Sequence, residues 1–416
     1  MDDHRSSETL YYDAVCGWKQ TLIRLIWVFL PESGSMLHEK IEKHVRQPKS
    51  IKNEVPAVTD QTKQSLFTKN TRIIEAVKAR AAEVCPKSLD LIAVTGSFAS
   101  GDFHEKSDLD LLIVISDDAG YALSHCFILD DVGYDLYCHT WERLEHAADY
   151  ESPYVSKLLD AQIVYTRDTA AAERFSAIAA RLQSHLNAPL SAEDCERAAA
   201  EVALAKQSYF DLASSDGEGY VFPLIGVIYH LECAVYLLNH ALVRHGVRGI
   251  PSELGNMPDL PDGFLFLHGG AFGDLDFAQA QEIAMTMIRN TERWVGARRA
   301  AVCQKQMPCE DNLRGTYEEL YSNYYNKLLL AADKGDRYVS RMTLASAQLF
   351  FDEVGDAVAL NQKIGFCDDA YRDGAAAVNA FSEAMHIYMF EYASVGMPVC
   401  YYADIDAFED TYIHGK

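Results

Sequence analysis

The chain has 416 residues, enough for two or three domains, and its 49% hydrophobic and 24% charged residues are typical of a folded soluble protein. Its formal net charge of −24 argues against nucleic acid as a partner, because phosphate binding depends on clustered Lys and Arg. The same charge would attract a cationic small molecule or a basic protein surface.

Cysteine and histidine usage gives no sign of a zinc site or a disulfide framework. The ten cysteines are scattered, without a Cys-x-x-Cys pair or a Cys/His zinc spacing. We expect most of them to be buried free thiols of a cytoplasmic protein. The fourteen histidines also lack metal-binding spacing, which argues against zinc.

Residues 1–60 are expected to form an N-terminal helical extension and linker. Helix-like stretches cover residues 8–30 and 35–46, and a polar stretch with two prolines follows. The most apolar part, residues 22–30, is too short to span a bilayer and contains Arg24. We therefore expect a packed or docking helix there rather than a helix on a membrane surface.

Residues 61–168 have the pattern of a compact α/β unit. Apolar residues at helical spacing predict a helix over residues 62–84, and Thr140 is a good N-cap for a helix through about residue 148. Short apolar runs bounded by turn residues predict strands at residues 89–95, 111–115, 134–139 and 161–165.

From residue 169 onward the pattern is helical, and no repeat of fixed period is visible. Candidate helices cover residues 170–187, 191–214, 223–245, 276–307, 313–334, 338–362 and 369–393. Gly and Pro cluster between residues 246 and 275, which predicts a long irregular loop. We expect two helical regions, at residues 169–308 and 309–416.

The segment LIAVTGSFASGDFHEKSDLDLLIVI, residues 91–115, is the most informative part of the chain. Asp108 and Asp110 open an apolar strand, where their spacing puts both on one face, roughly 7 Å apart along the backbone. Two carboxylates that near repel by about 2–4 kcal/mol at a protein-like dielectric, so a divalent cation is expected beside them. Gly96-Ser97 is a plausible anion cradle at a helix start, and metal next to phosphate indicates nucleotide chemistry.

These residues resemble the nucleotidyltransferase superfamily related to DNA polymerase β. The family pattern is matched by Thr95-Gly96-Ser97, by Ser107-Asp108-Leu109-Asp110-Leu111 after a gap, and by Asp135 on a later predicted strand. The chain looks most like the small bacterial members, including the antibiotic-modifying adenylyltransferases. The resemblance covers residues 62–168 well and residues 169–308 in general layout. It implies an α+β fold, in which a mixed-sheet nucleotidyltransferase core is followed by an all-α helical-bundle region.

The resemblance also implies roles for the carboxylates. Asp108 and Asp110 would hold Mg²⁺, two ions in all, against the triphosphate of ATP or another NTP. Asp135 would complete the second metal site or accept the proton of the attacking hydroxyl. Competing carboxylates lie in the turn before Asp135, and two further general-base candidates, Glu142 and Glu145, follow it.

The nucleotide would be held by groups on both sides of the carboxylates. The backbone N–H groups at Gly96-Ser97 and the Ser97 hydroxyl would bind the β- and γ-phosphates. Ser107 would contact a phosphate or cap the entrance of the Asp108 strand. Lys206, in a predicted helix, is a candidate for the triphosphate, because related enzymes often use a lysine or arginine of the helical domain. His230 and Glu232 are either partnered core groups or part of an acceptor pocket.

The leading hypothesis is a Mg²⁺-dependent enzyme that transfers a nucleoside monophosphate, AMP from ATP, to a hydroxyl and releases pyrophosphate. A small cationic acceptor such as an aminoglycoside-like antibiotic would suit the acidic charge. Two alternatives remain open: AMP transfer to a protein partner in a toxin–antitoxin or regulatory setting, with residues 309–416 as a docking surface, and a nucleotide-binding regulator without turnover. Many members of the family build their cleft across a homodimer; enough helices within one chain would close it alone.

Overall fold

The computed structural model describes residues 60–101, 103–104, 106–215 and 217–414. The prediction of a helical extension before residue 60 therefore lies outside the described residues. Contacts divide the chain into two compact units, Met1–Val302 and Cys303–Lys416. The predicted domain boundaries at residues 60, 168 and 308 stay predictions.

The described part of the first unit opens at residue 60 with a helix and an α/β region. The strand predicted for residues 134–139 is divided there into two strands, and a strand at His125–Leu129 was not predicted. The helices of this region are α1 (Asp60–Val84), α2 (Gly96–Ser100), α3 (Trp141–Ala147) and α4 (Lys157–Asp160). The strands are β1 (Leu89–Thr95), β2 (Asp110–Ile115), β3 (His125–Leu129), β4 (Val132–Leu136), β5 (Cys138–Thr140) and β6 (Gln162–Thr166).

Four of these strands form a mixed sheet in the order β5-β2-β1-β6. Strand β1 runs antiparallel to β2 and β6, while β2 runs parallel to β5. Strands β3 and β4 pair as a separate antiparallel hairpin. The α+β fold class and the mixed-sheet core are thus confirmed.

Side chains alternate between the two faces of this sheet and so enter two different cores. Ile92 of β1 and Leu111 and Ile113 of β2 pack under α1, with Val77 among their neighbours. Ala93 of β1, with Leu91, Leu112 and Val114, joins the core of the helices that follow. One face of the sheet therefore shares its core with the helical bundle.

Six helices of the described residues form the bundle of the first unit. They are α5 (Thr169–Asn187), α6 (Ala192–Ala213), α7 (Val221–Leu238), α8 (Gly246–Gly255), α9 (Phe264–Ala271) and α10 (Phe277–Val302). Helix α7 is long and apolar enough to cross a membrane by length and composition, and 72% of it is buried inside the structure. Its packing against α6 and α10 is that of a core helix.

The irregular loop predicted for residues 246–275 is wrong, because α8 and α9 lie within it. Helix α8 even contains Pro251. Burial decides against local propensity here: Ile250 and Leu254 of α8, and Phe264 and Leu267 of α9, enter the bundle core.

The second unit is helical and has its own core of buried aromatic and aliphatic side chains. Its helices are α11 (Glu310–Leu313), α12 (Thr316–Leu320), α13 (Asn326–Lys334), α14 (Arg337–Ala357), α15 (Gly374–Ser394) and α16 (Ile405–His414), with a π-helical turn at Tyr321–Tyr325.

Candidate active site

Strand contacts place two of the three predicted carboxylates on neighbouring strands. Asp110 opens β2, opposite Thr95 of β1. Strand β2 pairs with β5 from Ile113↔Cys138 onward, and Asp135 precedes β5 in the chain and pairs with Cys126 in the hairpin. Strand β4, which holds Asp135, also contacts β2.

The neighbours of both carboxylates in the chain enter the same core. Leu109 and Leu111 flank Asp110 and enter the core under α1, so Asp110 points to the opposite side. Tyr134 and Leu136 flank Asp135 and enter that same core. Asp110 is exposed and Asp135 half-buried. The half-buried Asp108 lies two residues before the strand that Asp110 opens.

Gly96 is where the backbone approaches Asp110 most closely. Gly96 has φ +65°, and an added Cβ would lie 2.8 Å from Asp110 Cγ and closer still to Oδ2. Helix α2 begins at this residue without a side-chain cap from Thr95. Its first backbone N–H groups have no acceptor within the helix, which makes this turn suitable for an anion.

The serines and the third carboxylate have partners of their own. The carbonyl of Ser97 accepts a hydrogen bond from Ser100 Oγ at 3.2 Å. Ser107 Oγ accepts one from the His104 N–H at 2.9 Å, which holds the turn before Asp108. The Cys126 thiol donates to Asp135 Oδ1 at 3.1 Å. The phosphate contacts of Ser97 and Ser107 stay predictions.

A pocket of about 400 Å³ joins Gly96 and Asp110 to cationic residues that sequence reasoning missed. The lining includes Lys157 of α4, together with Arg244 and His245 in the segment between α7 and the body of α8. A larger pocket of about 990 Å³ lies between α1 and β3, but no predicted site residue lines it.

Lys157 is held at the pocket wall by the sheet. Its Nζ lies 3.2 Å from His139 Nε2 and 5.7 Å from the centre of the Tyr137 ring. Burial, and to a lesser degree the charges of Lys157 and Arg143, lower the pKa of His139 to about 2. His139 is therefore neutral, and because an ammonium can only donate, His139 Nε2 accepts the hydrogen bond.

Arg244 and His245 are anchored by Glu253 of α8. Glu253 Oε1 accepts hydrogen bonds from the backbone N–H groups of Arg244 and His245, at 3.2 and 3.0 Å, and lies 2.8 Å from His245 Nδ1. Burial would raise the pKa of Glu253, but hydrogen bonds from Tyr236 and His245 outweigh it and the pKa falls. The Arg244 guanidinium pairs with Asp160, which also lines the pocket.

The helical-domain residues singled out in the sequence have partners elsewhere in the bundle. The ammonium of Lys206 on α6 pairs with Glu292 on α10, and Lys206 does not line the pocket with Asp110. Its nucleotide role stays a prediction. His230 pairs with Glu201 at 2.6 Å, and Glu232 with His268 at 2.6 Å, so both are partnered groups of the bundle.

Comparison with known proteins agrees with this geometry. Residues 72–155 match the family model of the nucleotidyltransferase domain, a range that includes Gly96, Asp108, Asp110 and Asp135. This part of the chain is therefore a nucleotidyltransferase domain. The chain is also similar to the crystal structure of a nucleotidyltransferase-like protein from Exiguobacterium sibiricum 255-15, at 12% identity and a TM-score of 0.35, over 68% of this chain and 91% of that one. A search of curated proteins found no match.

Proposed function

We propose that the protein is a Mg²⁺-dependent nucleotidyltransferase that moves AMP from ATP to a hydroxyl group of a small cationic acceptor, of the aminoglycoside class. The observation that carries the proposal is the 400 Å³ pocket, in which the start of α2, Asp110, Lys157 and Arg244 face the same space. Carboxylate and cationic groups around one pocket suit a metal-bound triphosphate.

The residues fit a magnesium ion. Asp108, Asp110 and Asp135 would supply hard oxygen ligands, and Asp110 and Asp135 lie on the contacting strands β2 and β4. When bound, Mg²⁺ would neutralise charge on the triphosphate.

The remaining groups of the pocket would bind and orient ATP. The N–H groups of Gly96 and Ser97 would donate to the β- and γ-phosphates. Lys157 and Arg244 would balance the charge of the leaving pyrophosphate, and the arginine would have to exchange Asp160 for phosphate.

Transfer would follow the ordinary course of nucleotidyl chemistry. The acceptor oxygen attacks the α-phosphorus and gives its proton to a carboxylate, with Asp135 as the candidate base. The bond from the α-phosphorus to the bridging oxygen of the β-phosphate breaks, and pyrophosphate leaves with the electron pair in line with the attack. The net charge of −24 supports a cationic acceptor by electrostatic steering.

The test is pyrophosphate release with Mg²⁺, each labelled NTP and a panel of aminoglycosides. We expect release with ATP and label on the aminoglycoside. Asp108→Asn and Asp110→Asn should abolish transfer and leave the circular dichroism spectrum unchanged. Asp118→Asn, at an exposed acid of the same domain, is the matched control and should stay active.

Other outcomes identify the alternatives. A labelled protein band in cell lysate would favour AMP transfer to a protein partner. ATP binding without pyrophosphate release from any NTP, in an assay where a known relative works, would leave a nucleotide-binding regulator. The cytoplasmic location, the absence of nucleic acid and membrane partners, and a homodimer stay predictions.

A further inference from the structure

Three side chains that are far apart in sequence meet in the bundle of the first unit. His185 lies in the last turn of α5, Asp194 in the first turn of α6, and His240 just after α7. One nitrogen of each imidazole and one carboxylate oxygen all lie within 4.8 Å of one another. None of the three lines the pocket with Asp110.

Both imidazoles face the same carboxylate. His185 Nε2 lies 2.9 Å from Asp194 Oδ1, and His240 Nε2 lies 3.2 Å from Oδ2. The two rings are 5.2 Å apart, and the ring of Tyr150 packs against both. Asp194 is 2% exposed and the side chain of His240 is 10% exposed, so the group is almost enclosed.

The His240 imidazole points to a ligand in this space. Its Nε2 is buried and makes no hydrogen bond, although Asp194 Oδ2 is 3.2 Å away, because the two groups are not aligned for one. A buried polar nitrogen without a partner is costly, and a bound cation between the three side chains would remove that cost.

Ser191 holds the Asp194 carboxylate in place. Ser191 donates its hydroxyl and its backbone N–H to Oδ2, at 2.5 and 2.8 Å, which fixes the orientation of the carboxylate. A carboxylate offers about four lone-pair sites, so lone pairs remain for a metal.

The neighbouring arginine is compatible with a cation. Arg197 Nη1 lies 3.6 Å from Asp194 Oδ1, but the other terminal nitrogen of Arg197 binds Glu193 at 2.7 Å. Glu193 thus balances the charge of Arg197, and Asp194 contributes its negative charge to the two imidazoles.

We propose that His185, Asp194 and His240 form a binding site for a divalent transition-metal ion, with Zn²⁺ as the best fit. Two imidazole nitrogens and one carboxylate oxygen are ligands that zinc prefers, whereas Mg²⁺ prefers oxygen alone. Water completes the coordination from the side of His185, whose side chain is 26% exposed.

The proposed ion would join the ends of three helices. Residue 240 follows α7 and precedes Arg244, so the ion would fix the start of the segment that carries Arg244 to the nucleotide pocket. Tyr150 supports the same segment, because its hydroxyl donates to the carbonyl of Ala241 at 2.6 Å.

The test measures zinc binding to the full chain after chelation, in excess Mg²⁺ so that the carboxylates near Asp110 do not bind zinc. Titration calorimetry and elemental analysis should give one tightly bound Zn²⁺ per chain. His185→Gln and His240→Asn should each weaken binding more than tenfold; Asn suits position 240 because it tolerates the φ of +46° there. His146→Gln, at an exposed histidine, is the matched control and should bind like the wild type.

X-ray absorption at the zinc edge of the wild-type protein tests the site without any substitution. We expect nitrogen and oxygen donors with the outer-shell pattern of imidazole, and a zinc-dependent rise in melting temperature. Sulfur donors, the lack of stoichiometric binding, or unchanged binding in both variants would overturn the proposal. If the variants fold poorly, the wild-type spectrum alone decides.

Discussion

Gly96 shows how one missing methyl group shapes the candidate active site. Gly96→Ala would force a Cβ against the Asp110 carboxylate at φ +65°. We expect pyrophosphate release to fall more than about tenfold, because displacing a reacting group by a fraction of an ångström is costly, and stability to fall by about 1–3 kcal/mol. Enzyme assay and urea unfolding measure the two effects.

Gly101→Ala is the control for backbone strain. Gly101 has φ +80°, but an added Cβ there meets nothing within 4 Å. The Gly101→Ala variant should lose stability and keep its transfer activity. Full activity in Gly96→Ala would show that the close approach to Asp110 is not needed.

Substitutions at two lysines test which of them binds the triphosphate: Lys206, the candidate from the sequence, or Lys157, which lines the pocket. Lys157→Met keeps a long unbranched side chain but removes the ammonium that lies over the Tyr137 ring and lines the pocket. We expect the KM for ATP to rise about 10- to 100-fold, the value of a lost hydrogen bond to a charged group. Lys206→Met removes a half-exposed pair with Glu292 and should leave the KM unchanged. The opposite result in steady-state kinetics would restore Lys206 as the triphosphate ligand.

Because His139 is buried with a lowered pKa, the stability of the protein should depend on pH. Burial lowers its pKa from 6.5 to about 2, so between these values the unfolded chain binds a proton that the folded chain does not. His139 makes its full contribution to the free energy of unfolding above about pH 6.5. This contribution is lost as the pH falls, by up to about 1.4 kcal/mol per pH unit. His139→Gln should remove this part of the slope in urea unfolding between pH 7 and 5. An unchanged slope would mean that His139 is protonated in the folded protein.

Among the helices, the contact of α13 with α15 leaves no room for a side chain at Gly374. A Cβ there would lie 2.7 Å from Ala332 Cα, so we expect Gly374→Ala to cost about 1–3 kcal/mol through overpacking. Gly355→Ala, in α14 of the same unit, meets nothing within 4 Å and should gain about 0.5–1 kcal/mol. Thermal unfolding that shifts in the same direction for both variants would contradict this packing.

Helices also show where sequence patterns failed. The segments that became α8 and α9 contain Gly and Pro at a density typical of loops, and only the burial of residues such as Leu254 and Phe264 stabilises them as helices. The helix predicted for residues 223–245 ends earlier, at Leu238, which frees the segment with His240 and Arg244 for other contacts. Neither outcome follows from local spacing, because both depend on partners distant in sequence.

At the level of the complete chain, the nucleotide pocket lies within the first compact unit. Its lining residues all precede Val302, and the core of the second unit draws on residues after 302. A protein truncated after Val302 should therefore fold and retain ATP binding, as measured by calorimetry. A folded truncated protein without ATP affinity would show that residues 303–416 contribute to the site.

The nucleotidyltransferase core could be read from the sequence because its signals are local. Short apolar runs bounded by turn residues predict β1 and β2, and Asp110 opens β2 as expected, whereas Asp108 lies two residues before it. Asp135 lies on a later strand, β4, as the sequence predicted, and this strand contacts β2. The two cationic residues of the pocket, Lys157 and Arg244, were not predicted, because they lie in short segments without periodicity. The contact of Lys157 with His139 exists only in the folded protein.

The two proposed metal sites also differ in whether their residues are close together in the sequence. Carboxylates two residues apart in a strand already imply a cation, since a short stretch of chain cannot separate their charges. His185, Asp194 and His240 are far apart in the sequence, so their spacing gave no sign of a zinc site. Helix packing brings them within 4.8 Å of one another. Local patterns therefore predict the nucleotidyltransferase core and its carboxylates, while long-range packing, which no short segment encodes, determines which cationic residues line the pocket and where the proposed second metal site lies.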